Sequence, residues 1–151
     1  MVDSGQIVIK IALVLIEKNG SFLLIKRKKP LLGLLWAFPG GVQNPGETEE
    51  QSAIREAKEE TGLDVEIVGT KLFEWKHPRT YVQTVYFHCK QLDPNQEAII
   101  GEEYEIAEME WVPASEVFER FTTESSPLIR EFVLSFARNP ENDNPKIQRE
   151  R

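Results

Sequence analysis

Two unbroken apolar runs near the start of the chain set its pattern. Ile7, Val8 and Ile9 and then residues 11–16 lead to Asn19-Gly20, after which Phe22, Leu23, Leu24 and Ile25 return. Asn-Gly between aliphatic runs predicts a tight hairpin of two strands. Because the runs do not alternate with polar residues, both faces of these strands are expected to be covered. Lys26, Arg27, Lys28 and Lys29 close the second strand and Pro30 ends it. Residues 31–35 then read as an apolar loop that reaches Trp36-Ala37-Phe38-Pro39-Gly40-Gly41.

A helix is predicted next. Thr48 with Gln51 three residues on has the form of a capping box, and Gly62 suits the left-handed position just past a helix end. Residues 64–76 read as extended, 81–89 as a clear strand and 110–112 as a short one. Between the last two, residues 93–107 form an acidic, turn-rich loop. Pro113 suits the first turn of a helix over 114–120. A further helix over 127–137 carries Leu128, Ile129, Phe132, Val133 and Phe136, the spacing of an apolar stripe laid on a sheet. This order predicts an α/β fold, a mixed sheet with helices on both faces, in one domain over residues 1–138. Residues 139–151 are polar and broken by proline, and a disordered tail is expected there.

Composition narrows the function classes. With 40% hydrophobic and 28% charged residues among 151, the chain reads as one globular domain. No apolar run approaches the roughly 18 residues that span a bilayer, and the first residues lack the pattern of an export signal, so a cytoplasmic protein without membrane partners is expected. The single cysteine, Cys89, excludes an intrachain disulfide or a multi-cysteine zinc site, and its place in a β-like run suits a small buried hydrophobe. His88, in the same run, is read as structural. A net charge of −7 argues against nucleic-acid binding through a basic field. An acidic protein acting on a polyphosphate needs cations to reverse the local sign.

The predicted helix supplies a place for them. Glu56, Glu59 and Glu60 stand at i, i+3 and i+4, so their carboxylates share one face. Such a cluster is usually no more than a solvated surface. Its spacing relative to other residues is less ordinary. Gly41, five residues, Glu47, seven residues, then Arg55-Glu56-Ala57-x-Glu59-Glu60-x-Gly62-Leu63 reproduces the pattern G-x5-E-x7-R-E-U-x-E-E-x-G-U, with Ala57 as a small member of the apolar class. Across residues 41–63 the chain therefore resembles the Nudix hydrolases.

That resemblance implies a Nudix α/β/α sandwich and hydrolysis of the diphosphate in a nucleoside diphosphate linked to another group X. It implies Mg2+, with Mn2+ as a substitute, held by Glu56, Glu59, Glu60 and the Gly40 carbonyl. Glu59, Glu105 and Arg55 become the candidates for catalysis, with Glu102 as runner-up to Glu105. Gly41, Glu47, Arg55 and Gly62 support the motif, Arg55 by pairing with Glu47. Arg27, Phe38, Pro78, Arg79 and Tyr81 are the candidate substrate contacts. Pro78, fifteen residues past Leu63, matches relatives acting on ADP-ribose, whereas Tyr81 matches those acting on dinucleoside polyphosphates. ADP-ribose or a nucleotide sugar comes first, with oxidised nucleoside triphosphates or dinucleoside polyphosphates as the alternative. A nucleotide-sensing domain without turnover is the reading of another class, and a homodimer stays open.

Overall fold

The first hairpin forms and then comes apart. In the computed structural model, which describes residues 8–31, 34–121 and 127–137, strands β1 (Ile9–Lys18) and β2 (Ser21–Leu31) meet at Asn19-Gly20, both with positive φ. Their Cα partners are Glu17 with Phe22 and Lys18 with Ser21. Beyond those pairs the two strands take different neighbours. β1 pairs in parallel with β7 (Val82–Gln91) and antiparallel with β4 (Gly40–Val42). β2 pairs antiparallel with β3 (Leu34–Ala37) and with β8 (Ile106–Pro113). β5 (Val65–Ile67) and β6 (Phe73–Lys76) follow one another along the free edge of β7. The sheet is mixed, as expected.

Both faces are covered, which accounts for the unbroken apolar runs. Ala12, Val14 and Ile16 of β1 and Val85, Phe87 and Cys89 of β7 share one core with Ala53 and Ala57 of helix α1 (Glu49–Thr61). The alternate residues Leu15 and Tyr86 enter a second core with Phe22, Val112, and Ile129 and Val133 of helix α2 (Pro127–Ala137). Side chains in a strand alternate between faces, so a strand buried on both must be apolar throughout. Cys89 is fully buried, and burial pushes its thiol up to about 12, which leaves it inert as a nucleophile. His88 packs edge-on against Phe132 and Phe136, with Nε2 3.5 Å from Glu17 Oε1, a structural role.

Several boundaries differ from the sequence expectation. Pro30 does not end β2. It falls where the β2–β3 register shifts, so its missing N–H breaks no ladder bond. Of the loop expected over 31–35, Leu31 belongs to β2 and residues 34–35 open strand β3, because β2 offers them an edge. The extended run 64–76 is interrupted at Gly69, with φ 76°, and divides into β5 and β6. The short strand at 110–112 extends over the whole of β8. Pro113 precedes a 3-10 helix, Ala114–Glu119, instead of opening an α-helix. Ile7 and the tail at 139–151 lie outside the described residues.

Candidate active site

Helix α1 is cut to fit the sheet. The Thr48 hydroxyl accepts from the Gln51 N–H and the Gln51 side chain accepts from the Thr48 N–H, closing the capping box. Gly62, with φ 75°, turns the chain and donates its N–H to the Lys58 carbonyl. Ala53 and Ala57 are fully buried, and their small size lets the helix approach the sheet closely. That approach carries Glu56 and Glu60 inward while Glu59 stays half-exposed.

The glycine turn receives those carboxylates. A Cβ on Gly40 would lie 2.1 Å from the Ala12 carbonyl oxygen, so that position has no room for a side chain, and one on Gly41 would lie 2.5 Å from Glu56 Oε2 and push that carboxylate out of its place. The Gly40 N–H donates to Glu60 Oε1 at 2.9 Å. Arg27, 7% exposed, reaches across from β2 and donates from Nη2 to the Gly40 carbonyl at 3.0 Å and to Glu60 Oε2 at 3.4 Å. Its Nε is buried with no partner among the described residues.

Arg55 braces the outer side. Its Nε and Nη2 grip the two oxygens of Glu47, and it donates to Glu56 Oε2 at 3.1 Å, Glu59 Oε1 at 2.9 Å and the Val42 carbonyl at 3.1 Å. The expected Arg55–Glu47 pair is therefore present, and it ties the loop after β4 to the helix.

A third element closes the cleft. The Ile99 N–H donates to the Thr61 carbonyl at 2.7 Å and the Gly101 N–H to the Glu60 carbonyl at 3.1 Å, so the loop before β8 satisfies carbonyls that the helix end leaves free. A Cβ on Gly101 would lie 1.9 Å from the Glu59 carbonyl oxygen. This docking brings Glu102 and Glu105 to the helix. One carboxylate oxygen from each of Glu60, Glu102 and Glu105 lies within 4.8 Å of the others. Glu56 and Glu59 line the same 360 Å3 cleft, together with Arg27, Gly40, Gly41 and Val42.

Five carboxylates against two guanidinia, Arg27 on Glu60 and Arg55 on Glu56 and Glu59, leave the cleft short of positive charge. Burial is the main force pushing the Glu60 carboxyl up to about 7, and neighbouring Glu56 and Glu102 push the same way against Arg27 and the Gly40 N–H. Burial raises Glu56 as well, helped by Glu59 and Glu102. Glu102 is raised by burial and then by Glu105 and Glu59. Hard oxygen donors at this spacing, with two carboxyls held partly inward, fit a divalent cation such as magnesium. The residues that could hold one are Glu56, Glu60, Glu102 and Glu105, Glu59 at the rim and the second lone pair of the Gly40 carbonyl.

The candidate substrate contacts are scattered. Arg27 is at the cleft. Phe38 is not: it is 3% exposed and meets Phe22 and Phe121 edge to face, as part of the core. Pro78, Arg79 and Tyr81 belong to the β6–β7 connection and do not line the glutamate cleft. The Tyr81 carbonyl accepts from Ile9, four residues along β1 from Leu13, the partner of Gly40, a separation of about 13 Å along the strand. Gly101 went unrecognised in the sequence reading, and so did the tie from Arg27 to Glu60. A glycine directly before Glu102-Glu103 was the available signal for the first, while the second joins residues 33 apart and had none.

A family model for the NUDIX domain matches residues 8–132. The chain belongs to the Nudix family. Among Nudix relatives, an ADP-ribose pyrophosphatase from Methanocaldococcus jannaschii is 40% identical over 76 residues, covering 48% of this chain and 45% of its own. Nudix hydrolase 2 of Arabidopsis thaliana is 32% identical over 96 residues, covering 64% of this chain and 34% of its own. The chain thus spans less than half the length of these curated relatives. A Nudix hydrolase structure from Nitrosomonas europaea superposes with a TM-score of 0.74 at 22% identity, over 90% of this chain and 76% of that one, which shows a shared Nudix fold. Among the described residues no helix is long and apolar enough to cross a membrane.

Proposed function

We propose that this chain hydrolyses the diphosphate of a nucleoside diphosphate linked to a group X, releasing a nucleoside monophosphate and phosphorylated X with magnesium as cofactor. The observation that carries this reading is the convergence of five carboxylates and the Gly40 carbonyl on one cleft, more negative charge than Arg27 and Arg55 can offset. Attack of water on an anionic phosphorus is a problem of charge and alignment. A bound divalent cation supplies neutralisation of the phosphate oxygens and a lowered pKa for the attacking water.

The protein groups do the rest. Glu56, Glu59 and Glu60 with the Gly40 carbonyl hold the cation. Arg55 and Glu47 keep helix and loop in register, so that these oxygens are positioned before substrate arrives. Arg27 faces the phosphate oxygens from β2. Glu105, exposed at the cleft edge, accepts the proton of the attacking water, with Glu102 beside it.

ADP-ribose and nucleotide sugars head the substrate panel, favoured by the likeness to an ADP-ribose pyrophosphatase. Pro78 and Tyr81, standing away from the cleft, favour neither side. The test is release of a nucleoside monophosphate from ADP-ribose, nucleotide sugars, dinucleoside polyphosphates and nucleoside triphosphates by folded protein with magnesium or manganese. No release from any of them refutes the reading, and tight nucleotide binding without turnover selects the sensing alternative.

A further inference from the structure

Beside the glutamate cleft lies a second hollow of opposite sign. Its volume is 530 Å3, and it is lined by Arg27, Lys28, Lys29, Pro30, Tyr104 and Glu105. Arg27 and Glu105 form the wall common to both hollows. On one side of that wall carboxylates prevail; on the other there are three cations and one carboxylate. Lys28 and Lys29 are exposed, and neither makes an ion pair among the described residues. Lys26, two residues earlier on the same strand, by contrast meets Glu108 at 3.6 Å. Arg27 is held by Glu60 and the Gly40 carbonyl, so Lys28 and Lys29 are the two cations at this hollow with no carboxylate paired to them among the described residues, in a chain of net charge −7. The Tyr104 ring, 73% exposed, stands over this hollow with little packing of its own.

The hollow is also fixed in place relative to the cleft. The Lys28 N–H donates to the Glu105 carbonyl at 2.8 Å, and the Glu105 N–H donates to the Glu102 carbonyl at 2.9 Å. The strand end and the loop are therefore joined through the main chain at Lys28 and Glu105. The buried Nε of Arg27, which has no hydrogen-bond partner among the described residues, belongs to the side chain that forms the shared wall.

From these observations, and resting on the hydrolase reading above, we infer that the hollow lined by Lys28, Lys29 and Tyr104 is a subsite for a further phosphoryl group. It takes the part of a polyphosphate chain that continues past the diphosphate held in the glutamate cleft. An anionic X, as in nucleoside triphosphates and dinucleoside polyphosphates, then moves ahead of ADP-ribose, which headed the panel on the likeness to a relative alone. A neutral distal ribose, as in ADP-ribose, offers the two lysines nothing to pair with. An ammonium–phosphate contact is strong because both partners are charged, and its loss is felt about tenfold or more in affinity. Tyr104 separates the two sources of that phosphoryl group, because an exposed aromatic ring stacks a second base where there is one.

The experiment uses inorganic tripolyphosphate and pyrophosphate, titrated calorimetrically into the full chain with calcium in place of magnesium. The expected result is that tripolyphosphate binds about tenfold or more tightly than pyrophosphate, and that Lys28→Ala/Lys29→Ala brings the two within about twofold. Lys76→Ala, an exposed cation on β6, should leave the ratio unchanged. Equal affinities in the wild type, or a ratio that survives the double substitution, overturn the subsite. Tyr104→Ala should weaken binding of a dinucleoside polyphosphate and leave tripolyphosphate alone; equal weakening of both removes the stacking role and leaves the lysines responsible. If the ratio behaves as expected while no nucleotide is hydrolysed, the hydrolase reading fails and the subsite stands. Turnover without the ratio has the converse meaning.

Discussion

Removing the Arg55 guanidinium tests whether the cleft is braced or merely crowded. Its partners differ in their access to water. The Glu59 side chain is 44% exposed, and an i to i+4 pair on an open helix face contributes only about 0.3–0.5 kcal/mol. Glu47 and Glu56 are 16% and 10% exposed, with less water to replace what they lose. Hydrogen bonds to charged groups in such settings contribute about 1.5–3 kcal/mol. The Val42 carbonyl is exposed and regains a water at little cost. Because Arg55 is itself partly open to solvent, Arg55→Ala should cost about 3 kcal/mol, below the simple total of its contacts. In a domain of this size that lowers the melting midpoint by about 6–12 °C. A double-mutant cycle with Glu47→Ala should return a coupling of about 1 kcal/mol or more. Arg55→Lys retains the charge without the two-pronged grip, so it should recover less than half of the loss. In turnover assays the magnesium concentration for half-maximal rate should rise in Arg55→Ala, since the ligands lose their support. A midpoint within about 1 °C of the wild type, or additive single effects in the cycle, would refute the brace.

Three further outcomes follow from the same geometry. The Glu60 carboxyl is raised from its ordinary 4.5 to about 7 in the folded protein, so between those values the native state holds a proton that the unfolded chain has released. Stability contributed by this group should therefore fall as pH rises from about 5 to 8 in chelator, and Glu60→Gln should flatten the fall; parallel melting curves for the two proteins would contradict it. Glu59→Gln should keep the fold yet lower turnover about a hundredfold or more at saturating magnesium, measured on a confirmed substrate; wild-type turnover would remove Glu59 from the site. Gly101→Ala drives a Cβ into the Glu59 carbonyl, so the loop carrying Glu102 and Glu105 has to lift, with an expected loss of about 1–3 kcal/mol in denaturant melts and a lower rate. An unchanged rate would show that the loop tolerates displacement.

What could be read from the chain without its structure was local. Thr48, Gln51 and Gly62 announce a helix through bonds to residues three or four away, and the apolar runs of β1 and β7 announce burial through a period of two. The motif spacing gave the face of Glu56, Glu59 and Glu60 for the same reason. Contacts across the fold were not legible in this way. That Glu60 meets Glu102 and Glu105 depends on Gly101 seating its loop on the end of α1. Phe38 was expected at the substrate because it adjoins the glycine turn, but successive residues of an extended segment face opposite ways, and this one faces the core. Pro30 looked like a strand end because ladder bonds are normally continuous, and a register shift made it harmless.

The parting of β1 and β2 gives the cleft a lever. Helix α1 and the Gly40 turn ride on β1, whereas Arg27 and the Glu105 loop ride on β2 and β8. From Asn19-Gly20 to Arg27 is about 23 Å of strand. Taking that turn as the fulcrum, a change of about 5° in the angle between the arms displaces their tips by about 2 Å, the whole length of a magnesium–oxygen contact. The Arg27–Glu60 pair and the bond from Gly101 act as stops near the tips of those arms, where a small force has the greatest torque. Weakening them should change the width of the cleft far more than any substitution of equal energy near the turn.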